Sequence, residues 1–246
     1  MQLPSERTLR DYTHYTKARS GFQDDIDEEL MKEAKLKDLP NWKKHIVLLL
    51  DEMKLKENLV YDKHETNVVG FVDVGDFNNQ ITELEKECSS DDFGPRESIA
   101  THVLVLMVRG IFTKLEFPYA HFLTKDLTGE QIFSVVWEAI ERLEKLGFRV
   151  LVITADGASS NRKFFKMHGD GSEVCYKTKN PYTCTSEDRD IFFVSDPPHL
   201  MKTTRNCWSH SHGHGNTRDM WVCVQIHVIM CVASTPPPHF DSPNSS

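Results

Sequence analysis

No CxxC pair occurs in the sequence, and only 6 cysteines are spread over its 246 residues. That usage excludes a disulfide-stapled secreted scaffold. Long hydrophobic runs are also missing: the aliphatic stretch from Ile46 to Leu50 is short, and residues 221–233 are interrupted by Gln225 and His227. Neither approaches the roughly 20 residues that cross a bilayer. The opening residues are polar, with no apolar core of a signal peptide, so a soluble intracellular chain is expected. No Walker A or GxGxxG pattern is present, which leaves a nucleotide site unsupported. An excess of positive charge is lacking too. Lys and Arg number 29 against 37 Asp and Glu, a net charge of −8. A chain that coats nucleic acid through bulk positive charge is thereby excluded. An enzyme acting on nucleic acid is not, because an acidic metal-binding centre itself adds negative charge.

What is present describes a globular α/β protein, with 39% hydrophobic and 27% charged residues. The acidity is concentrated in two N-terminal runs, 24–29 and 83–92, which read as solvated faces or loops. Residues 1–39 look helical: Ser5 can cap a helix carrying Thr8, Leu9, Tyr12 and Tyr15, and a second helix is expected over 26–36. Residues 45–53 form a continuous apolar run that predicts a strand buried on both faces, with Asp51 and Glu52 at its tip. A hairpin is expected from 59–62 and 68–74, then a polar surface insertion over 76–100, then strands at 102–108 and 112–117.

Residues 128–146 carry the clearest helical signal. Thr128 and Gln131 form a capping-box pair, Ile132, Val136, Ile140 and Leu143 share a face, and Gly147 stands at the C-terminal end. A strand at 148–154, a helix at 161–168, a strand at 190–194 and a helix from Pro197 to Trp208 follow. Antiparallel strands first and βαβ units later predict a mixed sheet flanked by helices. The Pro/Ser-rich end of the chain is expected to be disordered.

Three predicted strands end in an acid: Asp51, Asp156 and Asp196. Ligands gather at the carboxyl ends of parallel strands, and converging carboxylates repel unless a cation joins them. A hard ion such as Mg²⁺ accepts one or two carboxylates and keeps its waters. Two such ions roughly 4 Å apart would suit phosphodiester chemistry. An acid after a strand serves equally well as a helix N-cap. Arg162, Lys163 and Lys166, a turn beyond Asp156, could touch a DNA backbone or simply form a solvated face. His210, His212 and His214 read as a polar loop or a transition-metal ligand set, and Cys175 with Cys184 as idle thiols or half a zinc site. Phe133 and Trp137 read as core.

The segments LPSERTLRDY, LLLDEMKLKENLVYDKHETNVVGFVDVGD, VITADGASSNRKFF and FFVSDPPHLMKTTRN together resemble the P element transposase family, which includes THAP-domain-containing transposase-like proteins. The resemblance covers roughly residues 3–220. It implies an RNase H-like catalytic domain whose Asp, Asp and Glu bind Mg²⁺ or Mn²⁺ for strand cleavage and transfer on transposon-end DNA. A nuclear location is implied with it. The first family Asp falls on Asp51 and the second on Asp156. The DPPHLMK segment, with Asp196 and His199, matches a family signature at the fifth strand.

In the family, a GTP-binding insertion and the catalytic Glu follow that strand. Neither the Glu nor the GTP site is expected in this chain, and the zinc-coordinating THAP domain has no counterpart here. Residues 1–40 resemble the tail of the helix-turn-helix region, and 41–220 the partial RNase H-like domain. The sequence of 221–246 departs from the family, as intron read-through or a premature stop would produce. The expectation is a truncated transposase fragment, inactive or weak alone, associating with itself or with full-length transposase. The alternative is a domesticated, non-catalytic DNA- or protein-binding regulator.

Overall fold

A computed structural model describes residues 19–62, 66–88, 98–171, 173–183 and 188–210. The expected helix around Ser5 to Tyr15, Cys184, the side chain of His210, His212 and His214, and the tail at 221–246 lie outside the described residues. The chain divides into two compact units, Met1–Val194 and Ser195–Ser246.

The elements in chain order are α1 (Asp24–Ala34), β1 (His45–Lys54), β2 (Val60–Asp62), β3 (Asn67–Val69), α2 (Asp76–Cys88), β4 (His102–Gly110), β5 (Glu116–Thr124), α3 (Gly129–Leu146), β6 (Arg149–Ala155), α4 (Ser159–Lys166), β7 (Lys177–Lys179), β8 (Asp190–Ser195) and α5 (Pro197–His210). Short 3-10 turns at Leu36–Asp38 and Asn41–Lys44 lead into β1. The main sheet has the order β5-β4-β1-β6-β8-β7, and β2 pairs with β3 in a separate hairpin. β1 is antiparallel to β4, and β4 to β5, whereas β1 and β6 run parallel. The mixed α/β sheet expected from the order of elements is the one observed.

Parallel pairing demands a crossover, and α3 supplies it. Its start is fixed by Thr128: the hydroxyl accepts from Gln131 N–H while the Gln131 side chain accepts from Thr128 N–H. Its end is fixed by Gly147 at φ 101°, a left-handed conformation that glycine adopts without steric cost. Ile132, Val136, Ile140 and Leu143 are buried against the sheet core, with Leu48, Leu106 and Ile153 among the fully buried residues. Gly129 matters for a different reason. A Cβ there would lie 2.9 Å from the Lys163 side chain, so glycine lets α4 press onto the first turn of α3.

Polar anchors hold the helices in place. Asp27 of α1 accepts from the Tyr119 hydroxyl at 2.8 Å and from Arg142 of α3 at 3.2 Å, while Arg142 also lies 5.3 Å from the Phe22 ring. The acidic run 24–29 is therefore not merely solvated, as expected from sequence; it docks α1. Burial and the neighbouring Asp27 carboxylate push the Tyr119 phenol far above its usual range. Glu144, at the other end of α3, is 4% exposed. Its carboxylate accepts from Arg189 at 2.5 and 2.6 Å, from Asn180 at 2.8 Å and from the Val150 N–H at 2.9 Å. One side chain thus clamps α3, the start of β6 and the β7–β8 connection. On the face of α4, His168 packs among Phe133, Phe164 and Phe193. Its Nδ1 lies 2.9 Å from the Phe164 carbonyl, and the Trp137 indole N–H donates to its Nε2 at 3.0 Å. That pattern requires a neutral ring protonated on Nδ1.

Four expectations need correction. Residues 76–88 are helix α2, not a turn-rich insertion. α2 is held by Asn78, which donates to the Val74 carbonyl and accepts from Ser134. The strand placed at 112–117 is β5 at Glu116–Thr124, because residues 111–113 bend and Gly110 N–H bonds back to the Leu115 carbonyl. Pro118 is tolerated in β5 because that strand is the sheet edge and lies beside a bulge. β1 is fully buried on one face only, through Ile46, Leu48 and Leu50. Finally, a short strand, β7, stands between the helix expected at 161–168 and the strand expected at 190–194, and the Cys175 thiol before it donates to the Lys177 carbonyl.

Two outcomes follow. Glu144→Ala leaves Arg189 buried without its partner and should cost about 3–5 kcal/mol in urea unfolding. Burial lowers the His168 pKa below 6.5, so the unfolded chain binds the proton more readily. The contribution of His168 to stability is complete above that value and is lost as pH falls through it. The urea midpoint should drop between about pH 7 and 5, and the drop should be smaller in His168→Phe.

Candidate acidic site at the strand ends

Within the first unit, the β1–β6 register decides which acids meet. Leu49 lies opposite Thr154. Asp51 and Asp156 each stand two residues beyond that pair, Asp51 within β1 and Asp156 just past the end of β6, on neighbouring strands that run about 4.8 Å apart. Asp51 does not cap its strand as expected. β1 continues to Lys54, and Asp51 pairs with Val105 of β4 inside the sheet. It is exposed, on the face shared with Leu49 rather than with the buried Leu48 and Leu50. Its neighbour Glu52 points the other way and accepts from the Thr124 hydroxyl at 3.0 Å.

Asp156 follows β6 directly and is half-buried. Its Oδ1 accepts from the Ala158 N–H at 2.8 Å and from the Asn161 amide at 2.7 Å. Asp156 therefore does organise the entry to α4, and Oδ2 is not engaged in those two bonds. Asn161 is 8% exposed, so its amide holds the carboxylate from a buried, rigid position. The sequence reading passed over Asn161. The signal was a polar amide five residues after the acid, on the buried face of a short helix.

The basic residues of α4 are spoken for in part. Lys163 forms an ion pair with Glu130 at 2.6 Å, and Arg162 donates to the Gly157 carbonyl at 2.8 Å. Both side chains remain on the surface, and an exposed pair of this kind contributes little to stability. Lys166 lies on the same helix, half-buried.

Asp196 belongs to the second unit and is described within it. His199 Nδ1 lies 2.6 Å from Asp196 Oδ2, and the Asp196 carbonyl accepts from Leu200 N–H. Asp196 thus opens helix α5. Among the described residues, no group of three or more His, Cys, Asp or Glu could hold a metal ion. Two carboxylates remain as the site, and the donor chemistry of that pair fits a hard, partly hydrated divalent cation.

A mixed sheet in which a parallel strand is inserted beside an antiparallel trio, with acids two residues beyond a facing pair of its parallel strands, has the architecture of an RNase H-like domain. The chain belongs to the TNP-like, RNase H N-terminal domain family, whose model matches residues 18–169. It is 23% identical over 211 residues to the human protein named DNA transposase THAP9, covering 85% of this chain and 21% of that relative. The fold resembles that of the Drosophila P element transposase strand transfer complex, with a TM-score of 0.55 at 22% identity over 85% of this chain and 38% of the other. The chain therefore spans about a fifth of the curated relative. Among the described residues, no helix is long and apolar enough to cross a membrane.

Removing the Asn161 amide deprives a charged acceptor of one hydrogen bond, typically worth about 1.5–3 kcal/mol. Asn161→Ala should lower stability by that order in thermal unfolding, with the sheet signal in circular dichroism retained below the transition.

Proposed function

We propose that this chain is the RNase H-like core segment of a P element-like DNA transposase, acting in the nucleus on transposon-end DNA. Residues 41–220 form that partial domain and 1–40 the tail of a helix-turn-helix region. Asp51 and Asp156 are the carboxylates that hold Mg²⁺ or Mn²⁺. The observation that carries the reading is that Asp51 and Asp156 each stand two residues beyond the paired Leu49 and Thr154 of the parallel strands β1 and β6.

Asp51 is exposed and can turn its carboxylate toward a ligand without breaking a packed contact. Asp156 presents Oδ2 while Oδ1 is held by Ala158 and Asn161, so its orientation is set before anything binds. A divalent ion held there would neutralise the charge that develops on a phosphodiester during cleavage. Arg162, Lys163 and Lys166 lie one helix turn beyond and would meet the DNA backbone.

The family resemblance implies a third acid beside these two, and Asp51 and Asp156 are the two it places in this chain. The use of Asp156 as a helix-entry acceptor also supports a second reading, a non-catalytic regulator in which these acids are purely structural.

Mn²⁺ titration by calorimetry separates the two. Even an outer-shell partner of a metal costs tenfold or more in affinity, so Asp51→Asn and Asp156→Asn should each weaken Mn²⁺ binding by at least about tenfold. Unchanged affinity in both variants would establish the regulator reading.

A further inference from the structure

The end of the sheet opposite the acid pair carries exposed aromatic rings among cations. Trp42 and Phe112 are 56% and 53% exposed, and their rings meet edge to face at 5.6 Å. Lys43 Nζ lies 5.1 Å from the centre of the Trp42 ring. Two contacts lock the segments together: Ile111 N–H donates to the His45 carbonyl at 3.0 Å, and His45 Nδ1 lies 2.9 Å from the Trp42 carbonyl. Lys44, Arg109 and Lys114 belong to the same two segments. The opposing acids there are Asp38 and Glu116, and Glu116 is paired with Arg109 at 3.1 Å. In a chain with net charge −8 this corner is locally basic.

We propose that this corner binds single-stranded DNA, with Trp42 and Phe112 as stacking platforms and Lys43, Lys44 and Lys114 on the phosphates. The choice of DNA over RNA rests on the transposase reading; the site itself does not. Large aromatics exposed by more than half offer open π-faces, and unpaired bases stack on such faces without regard to sequence. Duplex DNA hides those base faces, which selects the single strand. Charge complementarity points the same way, because Lys43 lies against the Trp42 ring and Lys44 and Lys114 stand two residues from Trp42 and Phe112 in the chain. Lys43 can swing from the Trp42 face to a phosphate and free the ring. His45 begins β1 and Asp51 lies six residues on, so the corner stands roughly 20 Å from the acids at strand rise. It is a separate site.

The test is fluorescence anisotropy of the full chain with a labelled short oligodeoxynucleotide, its duplex and the matching RNA. The single-stranded DNA should bind more tightly than the duplex. With three lysines on phosphates, the log–log salt slope should be about −2. Trp42→Ala should weaken binding roughly tenfold, as loss of one stacked base does, and Lys43→Glu with Lys44→Glu should abolish it. Trp42 is exposed and the two lysines are half-buried, so circular dichroism checks that each variant folds. Quenching of tryptophan emission on binding should disappear in Trp42→Phe. Binding should persist in excess EDTA, where the acid pair holds no ion, so failure of the metal reading and failure of this one are distinguishable. Equal or tighter binding of duplex, tighter binding of RNA, or affinity indifferent to Trp42 and the lysines would overturn the proposal. So would concentration-dependent self-association that Trp42→Ala removes, because the corner would then be an interface between copies.

Discussion

Parallel hydrogen bonding between β1 and β6 requires the chain to leave one end of the sheet and return to the other. The intervening β4, β5 and α3 accomplish that return, and the docking of α3 fixes how far β6 slides along β1. Once Leu49 faces Thr154, the places of Asp51 and Asp156 two residues on follow. A slip of one residue would turn the side chains of a strand to the opposite face. It would move Asp51 from the open side of the sheet to the side occupied by Leu48 and Leu50. The acid pair thus depends on the same register that aligns the core.

Buried polar groups, more than apolar area alone, hold that register. Glu144 joins the end of α3 to the start of β6, and Asp27 joins α1 to Tyr119 and Arg142. His168 closes α4 against the aromatic cluster beneath it. Each is a directional contact that tolerates little sliding, whereas Leu and Ile contacts permit it. The helices therefore have defined positions, and Asp156, at the entry to α4, has a defined orientation.

Charge is distributed along the strands rather than averaged over the surface. Acids gather toward the end of β1 that carries Asp51, and Lys43 and Lys44 stand at its start. A net value of −8 describes neither end. The bulk argument against nucleic acid applies to a uniformly charged surface, and this surface is not uniform.

Much of the fold was legible in the sequence. The capping box of α3, its apolar stripe and its terminal glycine are local signals, and they placed that helix to within a residue. The apolar runs of β1, β6 and β8 were equally plain, because burial in a central sheet leaves continuous hydrophobic sequence. α2 was missed although Phe77, Ile81 and Leu84 stand at helical spacing, because the polar and acidic residues around them suggest a surface loop and the anchor of the helix is the buried Asn78. β5 was misplaced because the aliphatic and aromatic residues before it lie in a bend. By itself the sequence determined the order and type of most elements and the family resemblance, and it pointed to the two acids proposed as the site. Only the tertiary structure decided that Asp51 sits inside its strand, that Asn161 holds Asp156, and that Trp42 and Phe112 meet at the far end. Those relations depend on strand register and on contacts between segments distant in the chain, which local periodicity does not encode.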